Sequence, residues 1–109
     1  MSELIFEKDY ELLQEVTYAY KGSPRTTKKV LLKAPTFKQA DKLEAALRQL
    51  DPITSLINFV CDSNLIVAKE DGTELPSAVF LDLHVRAYRA LANDYAKFFL
   101  ASEQETDAK

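Results

Sequence analysis

At Pro35-Thr36 the spacing of apolar residues passes from a period of two to one near 3.6, and that change constrains the fold more than any other feature. Ahead of it, Leu12, Val16, Tyr18 and Tyr20 occupy even positions while Glu15 and Thr17 stand at odd ones. Val30, Leu32 and Ala34 repeat the parity, with Lys29 and Lys33 between them. Each segment reads as a strand with one apolar face. The stretch Lys21-Gly22-Ser23-Pro24-Arg25-Thr26 separates them and is turn-forming, so the two strands read as a hairpin. Keeping both apolar faces on one side sets Tyr18 opposite Val30, Val16 opposite Leu32 and Glu15 opposite Lys33. A lone hairpin is marginal in water, so its apolar face requires a helical cover.

Beyond Pro35, Thr36 suits an N-cap and Gln39 follows at the spacing of a capping box. Phe37, Ala40, Leu43, Leu47 and Leu50 then recur at three- and four-residue intervals as one stripe. Asp51-Pro52 ends that helix and opens a shorter one, with Ile53, Leu56, Ile57 and Val60 on one side and an end near Asp62-Ser63-Asn64. Leu65 to Ala68 reads as a short strand and Glu70-Asp71-Gly72-Thr73 as a turn. From Pro76-Ser77 the spacing predicts the longest helix. Phe80, Leu81, His84, Tyr88, Leu91, Tyr95, Phe98 and Phe99 cluster on one side of it, and Ala87, Ala90, Ala92 and Ala96 raise its propensity. Leu83, Val85 and Leu100 fall off that line, which predicts neighbours on two sides, one of them open to another chain. The expected class is α+β and mainly helical, an N-terminal β-hairpin packed on three helices with the last one longest.

The chain of 109 residues carries a formal net charge of −3, and no linker divides it. We expect one globular domain over residues 1–101. The segment 102–109 is Glu/Ser/Gln/Asp-rich without bulky apolar residues, and reads as a frayed acidic tail. Two isolated glycines cannot build a phosphate-cradling loop, and one cysteine with one histidine cannot close a structural zinc site. No metal or cofactor is expected. Cys61 stands in an apolar stretch and reads as a small buried hydrophobe. The first twenty residues hold Glu3, Glu7, Asp9, Glu11 and Glu15 against Lys8, the opposite of a basic signal-peptide start. No apolar run approaches the roughly 18 residues of a membrane span, so a cytoplasmic location is expected.

Catalytic candidates are weak. His84 would have to serve as base to Ser77, Cys61 or Ser63, none of which lies in an activated setting, and its plainer reading is a half-buried helix-face residue beside Tyr88. Asp82 and Asp94 lie twelve residues apart on one helix and make no close acid–base pair. No catalytic residue is assigned and a non-enzymatic protein is expected. Lys21, Arg25, Lys28, Lys29 and Lys33 form a run of bases without acids, a candidate basic contact patch. Glu11 and Glu15 on the partner strand oppose it, so a solvated, charge-paired face is the plainer reading. Aromatic residues at helical spacing are more often core than surface. Even so, Tyr88, Leu91, Tyr95, Phe98, Phe99 and Leu100 close the longest helix, where a small domain has little left to cover them. They are the candidate partner-binding set and a candidate oligomer seam.

The order of elements resembles the tail assembly chaperones of long-tailed bacteriophages. The resemblance lies in Val30-Leu31-Leu32-Lys33-Ala34-Pro35-Thr36, in Asp51-Pro52 followed by Leu56, Ile57 and Val60, and in Phe80-Leu81-Asp82-Leu83 running through Tyr88 and Leu91 to Phe98-Phe99-Leu100. It implies a non-enzymatic helper that coats hydrophobic stretches of the helical tape measure protein, keeps it soluble and helps recruit tail tube subunits. The resemblance also implies a longer form made by ribosomal frameshifting, and a wide apolar helix face suits the task. Two other readings stand beside it. One is a small adaptor or structural subunit docked through the hairpin edge; the other is a nucleic-acid-binding regulator using Lys21 to Lys33.

Overall fold

The computed structural model describes residues 6–100; the expected frayed tail at 102–109 lies outside them. Strands β1 (Glu7–Tyr20) and β2 (Ser23–Lys33) form the hairpin, longer than the alternation alone suggests. Its turn is two residues, Lys21 at φ 52° and Gly22 at φ 82°, and not the six-residue stretch expected. Positive φ at both positions is the twist-compatible hairpin geometry, which glycine adopts at little cost. This turn pairs Tyr20 with Ser23, so Tyr18 faces Arg25 and Val16 faces Thr27, not Val30 and Leu32 as expected. Further from the turn the pairing is Glu11 with Lys29, Tyr10 with Val30 and Glu7 with Lys33. Between the two registers, Leu12, Leu13, Gln14 and Glu15 oppose Lys28 alone. That irregular stretch restores the apolar parity, because Leu12, Val16 and Tyr18 are buried on the same side as Val30 and Leu32.

Strand β3 (Ile66–Ala68) adds antiparallel to β2, giving a sheet of order β1-β2-β3. It ends in the expected turn, where Gly72 has φ 74° and the Ala68 N–H donates to the Thr73 carbonyl at 2.8 Å.

Helix α1 (Ala40–Leu47) follows a single 3-10 turn over Phe37–Gln39, and the Gln39 side chain accepts from the Thr36 N–H at 2.7 Å. The expected stripe is largely unused, since Leu43 and Ala46 pack on the core while Phe37, Leu47 and Leu50 are exposed. Helix α2 (Pro52–Asp62) opens as expected, with the Asp51 side chain accepting from the Thr54 N–H at 3.2 Å. It buries Leu56, Ile57, Phe59, Val60 and Cys61. Asn64, at φ 59°, reverses the chain into β3.

The long helix expected from Pro76 is interrupted. Ser77–Phe80 makes a 3-10 turn, and helix α3 begins only at Val85 and runs to Phe99. Two contacts account for the break. Phe80 drops fully into the core, and the Gln14 side chain, carried on the irregular stretch of β1, accepts from the His84 N–H at 2.9 Å. His84 keeps an extended backbone and an exposed side chain at the N-cap of α3, not a half-buried place on its face.

The α+β class holds, but the described residues are 43% helical and 31% strand, so helix does not dominate as expected. Residues from one face of the sheet share a single core with α2, α3 and the segment around Phe80. A Phe80→Ala variant should lose about 3–5 kcal/mol of unfolding free energy, read from urea denaturation. A loss below about 1 kcal/mol would show that this side chain does not hold the core.

Candidate functional site

The aromatic end of α3 is closed by the sheet. Leu91 and Tyr95 are core residues with 3% and 1% exposure, and the Tyr95 hydroxyl donates to the Lys33 carbonyl at 2.6 Å. Phe98, Phe99 and Leu100 are half-buried against the same core. Phe98 meets the Tyr10 ring edge-on at 5.9 Å, and Phe99 lies 4.9 Å from the Tyr95 ring. The Lys8 ammonium sits 5.1 Å from the centre of Phe98, and the Tyr10 hydroxyl donates to the Asp94 carboxylate. This cover comes from the part of β1 ahead of Leu12, which the alternation leaves out. As a partner surface the set is therefore corrected: Leu91 and Tyr95 cannot meet another protein without opening the core.

The basic run is divided as well. Arg25 donates to Asp71 at 2.8 Å and stacks 4.7 Å from the Tyr20 ring, while the Lys21 ammonium sits 5.2 Å from the same ring centre. Lys29 and Lys33 stand opposite Glu11 and Glu7. Lys28 faces the irregular stretch of β1.

Asp71 is the most engaged charge. Its side chain is 6% exposed; it accepts from the Tyr18 hydroxyl and from Arg25, both at 2.8 Å, and from the Thr73 N–H at 3.0 Å. Loss of solvation pushes its carboxyl upward, but the bonds from Thr73, Tyr18 and Arg25 outweigh this and hold it well below the usual carboxylate range. Cys61 is buried as expected, and burial, followed by the nearby Asp62 charge, pushes its thiol up to about 12.

An apolar groove of about 360 Å³ opens elsewhere, between the first turn of α2 and the start of α3. Ile53, Leu81, Leu83, Val85 and Tyr88 line it, with Asp51 and Arg89 among its polar borders. The break before α3 shapes it, since that segment holds Leu81 at 75% exposure next to Val85, the first residue of α3, at 64%. Hydrogen bonds from Thr54 hold the Asp51 carboxyl below its ordinary range. Tyr88 is the member of the predicted aromatic set that reaches this groove. Comparison with models of known protein families, with characterised proteins and with solved structures finds no match. Sequence spacing carried one sign of the groove, because Leu83 and Val85 fall off the main apolar line of the last helical segment. It did not show the break that exposes Leu81.

A Tyr95→Asp change should unfold the domain, seen as loss of the cooperative thermal transition by circular dichroism; a folded variant would show that the ring is not core. Asp71, with its folded-state carboxyl lowered, contributes stability above its ordinary value near 4 and loses it as pH falls below that. The thermal midpoint should drop through this acid range, and the drop should be smaller in Asp71→Asn.

Proposed function

We propose that this protein is a non-enzymatic tail assembly chaperone, holding hydrophobic helical segments of a tape measure protein in the groove between α2 and α3. The observation that carries the reading is the exposed pair Leu81 and Val85 beside Ile53, Leu83 and Tyr88. A concave apolar strip on a rigid helical frame is the form that accepts one face of an amphipathic helix. The buried C-terminal aromatics support this use by anchoring α3 to the sheet, which leaves its first turn free for contact. The pattern resemblance in Val30 to Leu100 supplies the kind of client.

Self-association belongs to the same proposal, with its seam on the exposed Phe37, Leu47 and Leu50 around α1. The setting proposed is the cytoplasm of the infected host; among the described residues no helix is long and apolar enough to cross a membrane. Docking as a fixed subunit through the hairpin edge is less well supported. Strand β1 lies at an edge of the sheet, but its irregular stretch and the acids Glu11 and Glu15 interrupt the regular ladder that strand addition requires. The divided basic run likewise gives little support to nucleic-acid binding.

Affinity purification of the tagged chain from the cell that produces it, followed by mass spectrometry, should retain a very long helical protein at moderate salt. Leu81→Asp combined with Val85→Asp should lower that retention at least about tenfold while the thermal midpoint stays unchanged. Equal retention by the variant, or recovery of nucleic acid in place of a helical client, would refute the reading.

A further inference from the structure

We infer that the groove selects an amphipathic helix that is acidic along the flank lying against α3, so that partner charge as well as apolar fit decides which segment is held. This rests on the groove being a client site. Val85 and Arg89 stand one turn apart on α3 and both border the groove. Arg86 and Lys97 lie within about 80° of Arg89 around the helix at 3.6 residues per turn. All three cations are exposed. The ion pairs among the described residues join Arg25 to Asp71 and Lys69 to Asp9, so none of the three is in a direct ion pair, although the Arg89 charge helps to hold the nearby Asp51 carboxyl ionised.

Among the acids near the groove, the exposed Asp82 lines the neighbouring cavity with Glu15 and is not part of this lining. Asp94, the acid of α3, lies about 140° around the helix from Arg89 and about 60° from Lys97, and accepts the Tyr10 hydroxyl from β1. Asp51 spends its carboxylate on the Thr54 N–H, at the positive end of α2. Exposed cations at and beyond the border of an apolar strip are complementary to carboxylates flanking an aliphatic row, and they disfavour a helix with lysines there. Because the charges sit at the rim in water, their effect falls with added salt.

The test uses the full chain and two synthetic helical peptides of about 18 residues. Both carry the same leucines at i, i+3, i+4 and i+7, one with glutamates and the other with lysines along one flank. Fluorescence anisotropy at low salt should show the glutamate peptide binding at least about fivefold more tightly, a gap that closes as salt rises. Arg86→Glu with Arg89→Glu should reverse the order, Arg86→Gln with Arg89→Gln should erase it, and Leu81→Asp should weaken both peptides. Equal affinities for the unmodified chain, an order unchanged in the glutamate variant, or binding of neither peptide would overturn the inference. Failure of the chaperone reading shows differently, as a purification without a long helical client. A groove indifferent to flank charge would leave that reading standing.

Discussion

The hairpin contains a conflict of parity, and its resolution shapes the rest of the molecule. A two-residue turn at Lys21-Gly22 pairs even positions of β1 with odd positions of β2, as in Val16 with Thr27. Continued unchanged, that ladder would place Val30 opposite Leu13 and Leu32 opposite Glu11. One strand's apolar face would then point into solvent. Setting Leu12 to Glu15 against Lys28 shifts the pairing so that Tyr10 meets Val30, and the apolar residues of both strands share the core side. Leu13 is the cost of the shift, turned outward and largely exposed.

The same irregular stretch acts beyond the sheet. It carries Gln14 to the His84 N–H, where a side-chain acceptor holds the start of α3 in an extended conformation. Phe80, drawn fully into the core, fixes the other end of the break. Between these two anchors Leu81 and Leu83 line the groove next to Val85. A local adjustment of strand register thus helps to produce the apolar groove between α2 and α3.

Hydroxyl groups bind the layers together at sites where apolar packing alone would leave polar atoms unpaired. Tyr10 reaches Asp94, Tyr18 reaches Asp71, and Tyr95 reaches the Lys33 carbonyl. Each ring fills core volume while its hydroxyl meets an acceptor on another element, which fixes orientation as well as distance. Tyr18 ties β1 to the turn after β3, while the Tyr10 and Tyr95 contacts hold the C-terminal half of α3 on the sheet. Its N-terminal half faces α2 across the groove, so one helix is anchored at one end and available at the other.

Much of the secondary structure was legible in the chain. The even-numbered apolar face of the hairpin, the Thr36–Gln39 capping pair, the Asp51-Pro52 helix start and the Asp71-Gly72 turn all follow from local sterics and hydrogen bonding. Burial of Cys61 follows from its apolar surroundings. The candidate site was legible only in part, because Tyr88, Leu83 and Val85 carried the signal while Leu91 and Tyr95, chosen on the same spacing, belong to the core. Periodicity shows that a helix has an apolar side, but not which element arrives to cover it. Register, the break ahead of α3 and the division of its aromatic residues between core and rim were decided by contacts such as Gln14 with His84 and Tyr10 with Phe98. Those contacts join residues distant in sequence, and their energies come into being only when the sheet and helices have met.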